Sequence, residues 1–132
     1  MKVFNLLIST PEEMFFEGDV RSIKAKTSFG QFQMLADFEP FVASLRPCIL
    51  TLVDENGTSK QYAISEGIIE TKGDSVVICV NTIEAKESIN LEKAEESKVR
   101  AEQRVNSKDY KIEKDRAKNA LDRAKARIEL SK

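Results

Sequence analysis

Cys48 and Cys79 are the two thiols of a 132-residue chain that contains no histidine. The missing imidazole removes Ser-His-Asp and Cys-His nucleophilic arrangements, His general bases and His-ligated zinc together. Both cysteines sit inside apolar runs, Cys48 opening CILTLV and Cys79 within VVICV. That setting predicts reduced core thiols filling small spaces rather than a metal pair, which needs more than two isolated sulfurs. Carboxylate-only chemistry remains open in principle, yet the 22 acids are scattered and form no paired Asp or Glu motif. No catalytic residue, no metal site and no required cofactor are expected.

The elements that carry these residues divide the chain in two. All 5 Gly, all 3 Pro and all 7 Phe precede residue 83, whereas the remainder is rich in Ala, Lys, Glu and Arg. Residues 1–83 hold seven basic and eleven acidic groups; residues 84–132 hold fourteen and eleven, a net of -4 followed by +3. Turn-formers and aromatics first, helix-formers second, predict an α+β chain. It consists of an N-terminal β-sandwich of short strands over 1–83 and a C-terminal antiparallel two-helix hairpin over 84–132.

Strands are expected over Val3–Ser9, Val20–Lys26, Phe29–Leu35, Cys48–Val53, Ser59–Ser65, Ile68–Thr71 and Ser75–Asn81, with a loop at Asp37–Pro40. Asp54-Glu55-Asn56-Gly57 and Lys72-Gly73-Asp74 read as hairpin turns, the first through its Asn-Gly pair, because both residues tolerate positive φ. Many short strands between turns favour a sandwich or barrel over a parallel sheet. In the tail, Leu91, Ala94, Ala101 and Val105 fall near one helical face that Lys98 interrupts. Ala117, Ala120, Leu121, Ala124 and Ile128 follow the 3.6-residue period closely. Asn106-Ser107-Lys108-Asp109 would supply the connection and an N-cap. These stripes are mostly alanine, which buries little area per residue. They suit either a permanently packed hairpin or one able to detach.

The overall charge of -1 and the absence of aromatics interleaved among tail cations argue against a nucleic-acid partner. No apolar run approaches the ~20 residues that span a bilayer, and residues 1–10 are too short and polar for a signal peptide. A cytosolic chain, or one held at a membrane through a partner, is expected.

In order and spacing, several segments resemble the epsilon subunit family of F-type ATP synthases along nearly the whole chain. They are Ser9-Thr10-Pro11-Glu12, Phe16-Glu17-Gly18-Asp19-Val20, Pro40 with Phe41–Pro47, and Tyr62-Ala63-Ile64-Ser65-Glu66-Gly67-Ile68-Ile69-Glu70. Where the family reads G-E-F-G-I-L-P-G-H-A-P, this chain differs at Gln33, Ala36, Asp37, Phe38 and Glu39, and Glu66 stands at a usual glycine. The resemblance implies a non-catalytic central-stalk subunit whose sandwich clamps the gamma subunit onto the c-subunit ring. Its hairpin would regulate ATP hydrolysis and, when extended, meet the beta subunits. Association with the membrane, on the cytoplasmic face of a bacterial plasma membrane, would come through the complex alone. The net +3 of the tail fits an acidic target and equally a solvated charged face.

Some members of the family bind ATP in the folded hairpin, which would make ATP a regulatory ligand here. The corresponding positions are Ile89, Asn90, Lys93 and Ala94, with Glu84 upstream and Arg100, Arg123 and Arg127 on the helices. Asn90 replaces the motif's acid and Lys93 its arginine. Lysine offers phosphate a point charge where arginine offers a fork, so the implied site is weak. Ordinary surface charges of an amphipathic hairpin account for the same residues. An ATP-sensing hairpin protein and an unrelated sandwich adaptor are the alternatives to the stalk reading.

Overall fold

The computed structural model describes residues 2–106 and 114–132. Nine strands are present among them: β1 (Phe4–Ser9), β2 (Met14–Thr27), β3 (Gly30–Leu35), β4 (Val42–Leu45), β5 (Cys48–Asp54), β6 (Ser59–Ile64), β7 (Gly67–Lys72), β8 (Ser75–Val80) and β9 (Ile83–Ala85). A 3-10 turn at Lys86–Ser88 leads into α1 (Leu91–Asn106), and α2 (Lys114–Ser131) ends the chain. Asn106 is the last residue of α1 rather than loop, and the expected connection at Ser107–Asp109 lies outside the described residues.

The strands form a sandwich because β2 is long enough to serve two layers. Its first half pairs with β1, from Phe4↔Val20 to Ser9↔Met14. Its second half pairs with β3 and with β5. One layer continues β1–β8–β7–β4 and the other β5–β6–β9. β1 and β8 run parallel, whereas the other pairs are antiparallel.

Alternation builds the core. Phe4, Leu6 and Ile8 of β1 lie beside Val76, Ile78 and Val80 of the neighbouring β8, with Leu50, Leu52, Ile64 and Ile69 joining the same cluster from the other strands. The imperfect alternation of Val20, Ile23 and Ala25 has a local cause. The β2–β5 register slips between Val20 and Ser22, and this bulge turns both Val20 and Ile23 inward.

Two turns differ in detail from the sequence expectation. At Asp54–Gly57 only Gly57 takes positive φ (86°). The Asp54 carboxylate accepts the N–H groups of Asn56 and Thr58, both at 2.9 Å. An Asx-type turn therefore replaces the double positive-φ turn. Those N–H groups, that of Thr58 foremost, hold the Asp54 carboxyl below its ordinary value of 3.8. Asp37, where the family pattern has glycine, adopts φ 63°, a left-handed conformation that aspartate tolerates better than most residues. Its neighbour Phe38 meets Phe4 edge-to-face at 5.4 Å, so the altered loop is anchored to the core edge.

Three strand segments escaped the sequence reading: the first half of β2, β4, and β9, which carries the sheet on to Ala85. In β4 burial alternates but residue type does not, since apolar Val42 faces outward and only Leu45 is fully buried.

Candidate functional site

Two surfaces remain once the core is accounted for. The first is the seam where the hairpin meets the sandwich. α2, rather than α1, is the helix that lies on β5 and β6. The apolar contact there is small: Ala63, Ala126 and Leu130, flanked by Ile49 and Ile89. Around it, three ion pairs join α2 to three separate sandwich segments. Arg46 reaches Asp122 at 3.3 Å, Arg123 reaches Glu66 at 2.8 Å and Arg127 reaches Glu84 at 2.6 Å. The paired side chains are between 27% and 32% exposed, so water screens them only in part. Lys86 Nζ adds a hydrogen bond to the Lys132 carbonyl at 3.2 Å.

The residues singled out for nucleotide binding divide around this seam. Glu84 and Arg127 are brought together, Arg127 Nε donating to Glu84 Oε1. Arg123 is committed to Glu66, its Nη1 donating to both carboxylate oxygens at 2.8 and 3.1 Å. Asn90 caps α1: its Oδ1 accepts the Lys93 N–H at 3.1 Å, and its carbonyl accepts the Ala94 N–H at 3.0 Å. Ala94 is buried, while Ile89 packs beside Ala63. Lys93 and Arg100 stand exposed on α1, Arg100 donating to Ser97 Oγ at 3.2 Å. Sequence reasoning passed over Asp122 and gave Arg46 and Glu66 no role on the helix. The available signal was the Asp122-Arg123 pair four residues before Arg127, a charged strip beside the alanine stripe.

The second surface is the outward face of β1, β8, β7 and β4, which the helices leave largely uncovered, Asn119 of α2 bordering it near Ile68 and Cys79. Register sets its rows. Leu7 neighbours Val77, Val77 neighbours Glu70, and Glu70 neighbours Val42. One row over, Ser9, Cys79, Ile68 and Ser44 align in the same way. Val42 is 69% and Ile68 52% exposed, large values for branched aliphatics placed diagonally on adjacent strands of one sheet. Cys79 lies here, exposed and accepting a long hydrogen bond from Ser9 Oγ at 3.5 Å, so it is not the core thiol expected. Cys48 is half-buried beneath α2, and burial pushes its thiol pKa up. Both cysteines are free. Beyond this face, Phe29 at the β2–β3 turn is 96% exposed.

The sequence pattern of the ATP synthase delta/epsilon chain β-sandwich domain matches residues 3–86, and that of the same chain's long α-helix domain matches residues 87–132. The chain belongs to this family. It is 40% identical over 129 residues to the ATP synthase epsilon chain of Clostridium novyi, covering 98% of both chains. To that of Ruminococcus albus it is 37% identical over 132 residues, covering 99% of this chain and 98% of the other. Among solved structures, it is similar to a chain in the Euglena gracilis mitochondrial ATP synthase OSCP/F1/c-ring assembly. There the TM-score is 0.80 at 25% identity, over 94% of this chain and 78% of that one. A chain of the Tetrahymena thermophila mitochondrial ATP synthase central stalk and c-ring shares the fold, with a TM-score of 0.66 at 16% identity over 97% and 96%. As a delta/epsilon family member, the chain is an ATP synthase subunit of the bacterial epsilon type. No helix among its described residues is long and apolar enough to cross a membrane.

Proposed function

We propose that this chain is the non-catalytic central-stalk subunit that couples rotation of a c-subunit ring to ATP synthesis, and that its hairpin regulates ATP hydrolysis. The sandwich would seat on the gamma subunit and the ring, and the hairpin would meet the beta subunits. The complex would hold the chain at the cytoplasmic face of a bacterial plasma membrane. The observation that carries this reading is the outward sheet face on which Val42 and Ile68 stand exposed beside half-buried Leu7 and Val77. A folded chain that leaves branched aliphatics uncovered on one side, while a hairpin covers part of the other, is built to be one piece of a larger assembly. Glu17 and Asp19 border the strip and Glu70 lies within it, between Val77 and Val42, which suits a gamma surface carrying Lys or Arg among its apolar contacts.

The Val42→Asp/Ile68→Asp variant tests this in an exchange assay against labelled wild-type chain on the synthase complex. The proposal expects the variant to fold normally and to lose the competition by at least tenfold. Equal competition would place the partner elsewhere.

Nucleotide binding is a second, weaker part of the proposal. Glu84 beside Arg127 supports it. Asn90, Lys93 and the commitment of Arg123 to Glu66 keep the expected affinity low.

A further inference from the structure

The three ion pairs of the hairpin seam have an order. Along the sandwich side, Arg46, Glu66 and Glu84 read plus, minus, minus; along α2, Asp122, Arg123 and Arg127 read minus, plus, plus. We propose that this pattern is a charge-coded latch, which selects one docked register of α2 and makes docking depend on ionic strength.

The apolar contact beneath adds little energy to that choice, since it is only Ala63 against Ala126 and Leu130. Sliding α2 by one turn would put Asp122 or Leu130 where Ala126 sits. The charges discriminate further. Sliding α2 by four residues, ~6 Å, in one direction sets Arg46 against Lys118 and Glu66 against Asn119, leaving Glu84 alone satisfied by Arg123. Sliding it the other way sets Arg46 against Ala126 and Glu84 against Ser131, leaving only Glu66 satisfied, by Arg127. The observed register alone satisfies all three. Each alternative leaves two charged groups of a half-buried seam without a partner, which disfavours it through lost attraction and retained desolvation. Glu66 is the central member: it binds Arg123 through both oxygens and is itself fixed by Asn81 Nδ2 at 3.3 Å.

The two cysteines supply a probe and a control. Cys48 lines a cleft of about 250 Å³ shared with Asp122, Lys125, Ala126 and Glu129, so lifting α2 uncovers its thiol. Cys79 is already exposed with the hairpin docked, in an open cleft that Asn119 of α2 only borders, so lifting α2 changes its access far less than that of Cys48. The experiment uses the full chain and follows thiol-reagent labelling at each cysteine, as a ratio, through a sodium chloride series. The latch predicts that the Cys48-to-Cys79 ratio rises with salt. It also predicts that Glu66→Gln and Arg123→Gln each raise the ratio, on the order of two- to fivefold at low salt. The double variant should be no worse than either single one, because both remove the same interaction. A ratio indifferent to salt and to both substitutions overturns the proposal, as do effects that simply multiply in the double variant. Circular dichroism identifies any variant that fails to fold, and Glu84→Gln with Arg127→Gln then repeats the cycle at the neighbouring pair. Any consequence for hydrolysis rests on the regulatory reading above. Labelling is read on the chain alone and hydrolysis on the complex, so failure of one is distinguishable from failure of the other.

Discussion

Gly67 joins the sandwich core to the hairpin seam, and replacing it with alanine should damage the fold through one identifiable contact. A Cβ there would lie 2.0 Å from the Cys79 carbonyl oxygen and 2.8 Å from Val80 Cα and Cγ1. Two of these are backbone atoms of β8, so no rotamer change relieves them. An ordinary contact requires β7 and β8 to part by more than an ångström at their Gly67↔Val80 end. Overpacking of this kind costs about 1–3 kcal/mol. The displacement also strains the adjacent hydrogen bonds, Ser65 N–H to the Thr82 carbonyl at 3.1 Å and Thr82 N–H to Ser65 Oγ at 2.8 Å. Such bonds are worth ~1 kcal/mol each. Reduced freedom of the unfolded chain offsets about 0.4–1 kcal/mol. The net expectation is a loss of about 2–3 kcal/mol. In a urea titration followed by circular dichroism, with a slope of ~1.5 kcal/mol per molar, the midpoint should fall by roughly 1–2 M. A midpoint within about 0.3 M of wild type would refute the reasoning, since it would mean that the two strands separate there without penalty.

Further outcomes follow from other parts of the molecule. Ile69→Ala empties a fully buried position in β7 and should cost about 2–5 kcal/mol in the same titration. Val42→Asp/Ile68→Asp, by contrast, should cost only about 1 kcal/mol or less per site, because both side chains already face solvent and the loss is limited to strand propensity and a new carboxylate opposite Glu70. The lowered pKa of Asp54 supports stability above its ordinary value of 3.8, and that support is lost as pH falls through the lower folded value. Asp54→Asn should therefore flatten the acid limb of a stability–pH curve, and an unchanged limb would contradict the turn's role. Restoring the nucleotide motif with Asn90→Asp/Lys93→Arg should strengthen ATP binding about tenfold by calorimetry while leaving the helix intact, since Asp caps α1 as well as Asn does. Absence of heat from both proteins would reduce those residues to surface charges.

What the sequence disclosed and what it hid follow the strength of the local pattern. β1, β5 and β8 were legible because Leu6 and Ile8, Leu50 and Leu52, and Val76 and Ile78 alternate cleanly with half-exposed neighbours. The bulge between Val20 and Ser22 broke that period in β2. β4 and β9 are short strands with one or no buried side chain, held by their neighbours rather than by their own pattern. Cys79 was misjudged because VVICV reads as a buried run, although in an exposed sheet face one parity of that run looks outward. The hairpin was visible as a periodicity. Its seam was not, because Arg46, Glu66 and Glu84 are scattered along the chain and only the folded sandwich gathers them beneath Asp122, Arg123 and Arg127. Glu66 looked like a lone departure from a glycine pattern; the fold gives it a partner 57 residues away.

The most direct test of the central claim is a titration of the full chain into its own synthase lacking this subunit, with complex mass and ATP hydrolysis followed together. The account predicts one-to-one binding to the gamma-containing complex, accompanied by a change in hydrolysis. A complex whose mass and hydrolysis are both unaltered by the chain would contradict it.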